Sequence, residues 1–267
     1  MAITTLDGVI AGMQPPEEFL KVGTGTQVVG RMYSPFYVTG RPGAAVAPTP
    51  GIAGAALTTY AGQIPFTNGA SDQYLARFAA QSLTTGVLFL CDRLWHNSGI
   101  SVTTTTGQTI DSAAWPARDN VASTNGAGVR IGLEVSTATG AGASTVTCTY
   151  TNELGTGSKT ATCRPAYTAS SVAGTFYDFS LAAGDAGVRS IQTYTSTVSM
   201  SSGVIHLVAY RVLARVGVNV ASLEYAVDAL TSGFPKLHDN TVPFLLLLPA
   251  VTTAPSLISG QVIYSHG

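Results

Sequence analysis

Charge is what this sequence has least of. Asp, Glu, Lys and Arg make up 10% of the chain, against about 25% in an ordinary soluble domain, and mean hydropathy is +0.28. Thirteen basic and fourteen acidic residues leave a net charge of −1. They are scattered singly, so there is no basic stripe to neutralise phosphates, and nucleic acid is not an expected partner. Lysine is scarcest, with only Lys21, Lys159 and Lys236; arginine suits buried or interfacial pairing better. Long hydrophobic runs are missing too. The strongest, Phe244 to Leu248, is cut by Pro249, far short of the ~20 residues that cross a bilayer as a helix, so no membrane span is expected. The N-terminus lacks a basic region and carries Asp7 where the apolar stretch of a signal peptide belongs, so no export signal is expected. A chain so apolar and so weakly charged is expected to bury much of its surface against protein partners.

The usual marks of chemistry are equally sparse. Three cysteines, an odd count, argue against a disulfide framework. Cys148 and Cys163 sit at mirrored positions of a hairpin, as two buried thiols or, second, a cross-strand bridge. No His-x-x-x-His, Cys-x-x-Cys or Gly-x-Ser-x-Gly occurs. Asp92 and His96 fall on one face of a strand, with His206 and His238 elsewhere; an interfacial hydrogen-bonding pair ranks above a metal or acid–base site. Residues 153 to 160 imitate a phosphate loop, but Glu153 replaces its first glycine, Ser158 its last, and a strand follows, so a hairpin turn is expected. No metal, cofactor or catalytic role is expected. Trp95, Trp115 and the tyrosines are read as core or interface aromatics before a sugar-binding platform.

What is abundant is proline and glycine at one end. Residues 1 to 70 contain seven of the thirteen prolines among clustered glycines, which removes backbone donors and raises the entropy cost of ordering. Yet Phe19, Tyr33, Phe36, Tyr37, Tyr60 and Phe66 make the segment too aromatic for a disordered linker. It is expected to be an extended arm that buries these side chains on a neighbouring surface. Together with Trp95 and His96, they are the candidate interface residues.

From residue 71 to 267 the pattern is that of a mainly β domain. Val129, Ile131, Leu133 and Val135 alternate with Arg130, Gly132, Glu134 and Ser136, the period of a half-buried strand. A hairpin follows over 144 to 164, with further strands over 175 to 181, 188 to 200, 203 to 216, 242 to 249 and 256 to 264. Many short strands with Gly/Ser turns point to an antiparallel sandwich or jelly-roll-like domain. Residues 72 to 83 fit either period and are read as a strand. Ser222 is read as the cap of a short helix carrying Leu223, Val227 and Leu230 and ended by Gly233. Residues 86 to 97 form a strand with Val87, Phe89, Cys91, Arg93 and Trp95 on one side and Leu88, Leu90, Asp92, Leu94 and His96 on the other. Both sides are largely apolar, so something must cover both, and the arm of this or another subunit is the natural cover.

Several phrases carry a resemblance. Tyr74-Leu75-Ala76-Arg77-Phe78, then Leu90-Cys91-Asp92-Arg93-Leu94-Trp95-His96-Asn97-Ser98-Gly99, then Ala114-Trp115-Pro116-Ala117-Arg118-Asp119, with Gly187-Val188-Arg189-Ser190, Gly233-Phe234-Pro235 and the run at 25 to 31, resemble a family of virion structural proteins of tailed bacteriophages over nearly the whole chain. The resemblance implies a particle component assembled in the host cytoplasm and transfers no functional residue. The expected role is a capsid decoration or cement protein whose partners are the major capsid protein and copies of itself, a homo-oligomer with a trimer as the natural order at lattice junctions. A tail, collar or host-recognition component that binds carbohydrate is the alternative.

Overall fold

A computed structural model describes residues 3–23, 25–233 and 235–267. Phe234 of the Gly233-Phe234-Pro235 phrase, and Met1, Ala2 and Thr24 of the expected arm, lie outside the described residues. A short helix, α1 (Leu6–Ala11), leads into β1 (Glu17–Val22) and the short strands β2 (Met32–Tyr33), β3 (Gly40–Arg41) and β4 (Ala55–Ala56). Two long strands, β5 (Gln73–Ser82) and β6 (Gly86–His96), precede the short β7 (Gln108–Thr109). Then come β8 (Arg130–Thr137), β9 (Val146–Asn152), β10 (Lys159–Arg164), β11 (Thr175–Ser180), β12 (Val188–Ser196) and β13 (Val204–Val218). The chain finishes with β14 (Tyr225–Asp228), α2 (Ala229–Ser232), β15 (Lys236–Leu237), β16 (Pro243–Pro249) and β17 (Leu257–His266).

The strands form two antiparallel sheets, so the protein is mainly β, as its alternating segments require. A six-stranded sheet runs β14-β5-β17-β1-β3, with β15 beside β5; an eleven-stranded sheet runs β2-β16-β6-β13-β8-β11-β10-β9-β12-β7, with β4 beside β6. The two-residue strand β2 also pairs with β11, so β2, β16, β6, β13, β8 and β11 close into a ring. Closure removes two sheet edges and gives this part of the sheet an inside and an outside.

The core has three parts that follow from this closure. Inside the ring lie Phe36, Cys91, Phe176, Val208, Tyr210, Phe244 and Leu246. The outside of one wall, through Leu88, Leu90, Leu213 and Leu247, meets Phe19, Phe78, Ile258 and Val262 of the six-stranded sheet. The outside of the opposite wall, through Ile131, Leu133 and Leu207, meets Tyr150, Ile191 and Tyr194 where the long sheet folds back over itself, with Trp95 and Trp115 in the same cluster. Gly132 permits a close approach inside the ring: a Cβ there would lie 2.0 Å from the Phe176 ring. Gly54, at φ +69, plays a similar part against Trp95, whose ring a Cβ would meet at 2.3 Å.

Two expectations need correction. Residues 1 to 70 have little regular structure, but their side chains pack on their own chain. Strand β1 lies between β17 and β3, pairing Phe19 with Gly260, and Phe19 is 2% exposed. Tyr33 closes the ring, Phe36 enters it, Tyr37 and Tyr60 pack against its contents, and Phe66 meets Tyr264 edge-on. Residue 70 is therefore no boundary in the packing. The helix expected from Ser222 is mostly strand: residues 225–228 pair with Phe78 and its neighbours on β5, Ser222 itself sits in a turn at φ +62, and the helix is the single turn α2, capped by Asp228 and ended by a left-handed Gly233. Val227 packs against the core beneath the sheet, and that burial outweighs the weak propensity of a short helix.

Candidate functional site

Residues 90–99 and 114–119, two of the phrases that carry the resemblance, contribute to two buried charged centres, one on each side of β6. A register shift where Trp95 pairs with Ala209 and Arg93 with Tyr210 leaves Leu94 as an extra residue in β6. The bulge reverses the expected alternation beyond it. Arg93 and His96 share the inner face, where the Arg93 Nε–H donates to His96 Nδ1 at 3.2 Å, while Leu94 and Trp95 both join the outer cluster.

The first centre lies inside the ring. Arg93 Nη2 is 2.7 Å from Glu134 Oε2, and both side chains are fully buried. The Tyr37 hydroxyl donates to the same oxygen at 2.8 Å. The guanidinium also lies 4.9 Å from the Phe36 ring and 5.6 Å from that of Phe244, so aromatic faces add to its stabilisation. Burial opposes ionisation of Glu134, but the charge and hydrogen bond of Arg93 outweigh it and hold the carboxyl below its usual range. Burial, then the Arg93 charge and His206, push His96 down to about 2. His96 is thus neutral, accepts from Arg93, and packs edge-on against Tyr60 at 4.7 Å. Burial and the neighbouring Glu134 carboxylate keep the Tyr37 phenol protonated, which is the form that donates.

The second centre lies outside the ring around Asp92. Arg118 grips its carboxylate with two bonds, Nε at 3.2 Å and Nη2 at 3.1 Å, and donates also to the carbonyls of Leu57 and Arg93. The Val242 amide donates to Asp92 Oδ1 at 2.9 Å, and Arg211 Nε lies 3.5 Å from Oδ2. A bidentate guanidinium with a backbone donor beside it supplies short, charge-assisted hydrogen bonds to both oxygens of this buried carboxylate. The next residue, Asp119, accepts from the amides of Val121, Ser123, Gly126 and Ala127 and from the Ser123 hydroxyl. Burial works against its charge, the bonds from Ser123 and its neighbours prevail, and the carboxyl is lowered. Asp119 thereby shapes the whole 119–127 loop, and its own carbonyl is 3.0 Å from His238 Nε2.

Asp92 and His96, expected as one pair, are therefore separated by the bulge and committed to different partners. Trp95 is 0% and Trp115 2% exposed, with Trp95 Nε1 donating to the Ala53 carbonyl, so these two rings cannot offer a sugar-stacking platform. The expected interface residues are all at least partly buried within the chain itself: Phe19, Tyr33, Phe36, Trp95 and His96 are core, and Tyr37, Tyr60 and Phe66 are half-buried. The expectation that the arm covers the two-sided strand holds, with the cover supplied by this chain. Cys148 pairs with Ala161 rather than facing Cys163, and both thiols are free. Residues 153 to 158 form the expected hairpin turn, in which Glu153 accepts from the Ala186 and Gly187 amides. Glu134 and Arg118 escaped the sequence reading, the first because it falls on the polar side of its strand and the second because it lies in the long loop before β8.

No protein-family model and no curated protein matches the chain. Among solved structures, it is similar over 97% of its length to 68% of a chain from the crystal structure of the infectious bursal disease virus VP2 subviral particle, at 8% identity and a TM-score of 0.20. A second similarity, to T=1 particles derived from infectious bursal virus, covers 96% of this chain and 79% of the other at 9% identity and a TM-score of 0.18. Likeness this slight carries no argument about function.

Proposed function

We propose that the chain is a structural protein of a tailed-bacteriophage virion, acting without chemistry as a decoration or cement protein on the head shell. The observation that carries this reading is the fate of the family phrases. Asp92, Arg93, Trp95, His96, Arg118 and Asp119 are buried, each holding at least one hydrogen bond or ion pair to another side chain or to backbone. Such residues encode a rigid shape, and shape is what a particle component supplies. Contact material lies elsewhere: Leu6, Ile10, Met13, Leu20 and Val22 are exposed. Apolar burial at about 25 cal/mol per Å² makes even a modest footprint strong when a shell repeats it. In this reading the partners are the major capsid protein and further copies of the chain, joined after assembly in the host cytoplasm.

Quantitative mass spectrometry of purified particles tests it. Copy numbers in the hundreds, tracking shell geometry, are expected. Small multiples of three or six would move the protein to the tail or collar, and absence from the particle would overturn the structural reading altogether.

A further inference from the structure

A recess of about 540 Å³ is lined by residues from one end of the ring and the loops beside it. Its chemistry is set by register. Arg164 on β10 lies directly opposite Asp178 on β11, and Asp178 lies opposite Gly132 on β8, so the side chain of Arg130, two residues from Gly132, falls on the same face. Two arginines therefore flank one acid from either side of β11.

Both address the same oxygen: Arg130 Nη1 is 3.2 Å and Arg164 Nη2 is 3.5 Å from Asp178 Oδ2. The other oxygen receives the Tyr210 hydroxyl at 2.9 Å. The Asp178 side chain is 5% exposed, whereas Arg130 is 50% and Arg164 68% exposed, so the acid is the floor and the guanidinia are the rim. The second acid of the recess, Asp185, is already matched by the Tyr150 hydroxyl, the Asn152 amide and Lys159. An entering group meets two cations against one committed anion. Each guanidinium has five donors in a planar fork, and the contacts to Asp178 leave most of them free of it. Burial raises the Asp178 carboxyl above its ordinary range despite the arginines, which weakens its own hold on them. Leu181 and Val212 line the same recess and suit a short hydrocarbon stem. The mouth of a β-barrel with a few convergent polar groups is a common place for a small-ligand site.

We infer that this recess binds an organic carboxylate, held between the guanidinia of Arg130 and Arg164 with its carbon stem against Leu181 and Val212. The carboxylate can belong to an acidic sugar or to a glutamate side chain, and the two sources are separable. Titration of the full chain by calorimetry or NMR would use glucuronate and N-acetylglutamate, with glucose and N-acetylglutamine as their neutral counterparts. Saturable binding of at least one acid is expected, with its neutral counterpart about tenfold or more weaker. Preference between the acids identifies the source, and either preference supports the site. Arg164→Gln and Arg130→Gln should each weaken binding about tenfold, while Arg189→Gln, an exposed arginine outside the recess lining, should leave it unchanged; thermal unfolding checks that each variant is folded. Equal binding of acid and neutral counterpart, no saturable binding of either acid, or full retention of binding in both rim variants would overturn the proposal.

Discussion

The Arg93–Glu134 pair offers the sharpest test of what holds the ring together. Glu134→Gln leaves a guanidinium buried among Phe36, Phe244 and His96 with no countercharge. Arg93→Met leaves a carboxylate equally stranded. Breaking one side of a fully desolvated pair costs about 3–5 kcal/mol, which for a chain of this size lowers the unfolding midpoint by roughly 6–20 °C. The double variant should behave differently. With no charge on either side, the methionine fills part of the arginine's volume and the glutamine still accepts from the Tyr37 hydroxyl. It loses the donor to His96 and the contacts with the two rings, so its cost should be about 1–3 kcal/mol, well below the sum of the singles. Urea unfolding of all four proteins at pH 7, followed by far-ultraviolet circular dichroism, closes the cycle. Arg93→Met carries its own internal check. Without arginine the Glu134 carboxyl rises, so its folded value exceeds its unfolded one and this variant should recover stability as the pH falls through that raised value. Additive single losses, or singles that cost less than about 1 kcal/mol, would refute the view that this pair is a coupled buried unit.

Two further outcomes are expected. Phe19→Ala should cost about 3–5 kcal/mol, and deletion of residues 1 to 40, which removes β1 from beside β17, should abolish the cooperative thermal transition; a truncated protein that still melted cooperatively would return the segment to the status of a detachable arm. Acid should also weaken the fold early, because His96 is lowered to about 2 and His206, His238 and His266 are lowered by burial. A histidine whose folded value is depressed stabilises above its unfolded value near 6.5 and loses that contribution as the pH falls, at about 1.4 kcal/mol per pH unit for a site as buried as His96. Denaturant midpoints at pH 7.5 and 5.0 measure it. His96→Gln should flatten the slope, and a wild-type protein equally stable at both values would contradict the assignment.

Much of the strand layout was legible. The alternation over residues 129 to 135 and the runs at 175, 203, 242 and 256 became β8, β11, β13, β16 and β17 within a few residues, because period-two patterning survives wherever one face is buried. What misled was the proline-rich segment. Its prolines and glycines do prevent regular structure, but irregular backbone can still bury side chains, and Glu17–Val22 had the burial alternation of a strand all along. The charged centres were hidden for a different reason. Glu134 belongs to the polar side of its strand, and only a ring closed by the two residues of β2 turns that side inward. Trp95 and His96 exchange faces through one extra residue at Leu94, and a single-residue bulge leaves no periodic trace. Arg118 reaches Asp92 through a long loop, a contact that no local pattern announces.

The pairing of β1 with β17 has a consequence in time. Glu17 meets Val262, so at ribosomal rates of roughly 5–20 residues per second the partner strand emerges about 12–50 s after the first, a delay set by the ~245 residues between them. Throughout that interval β1 has only the two residues of β3 beside it and Phe19 waits for β17, while the ring strands between them are already being made. The six-stranded sheet is therefore completed only after the strands of the ring have been made, and the nascent chain must keep β1 out of trouble until β17 arrives.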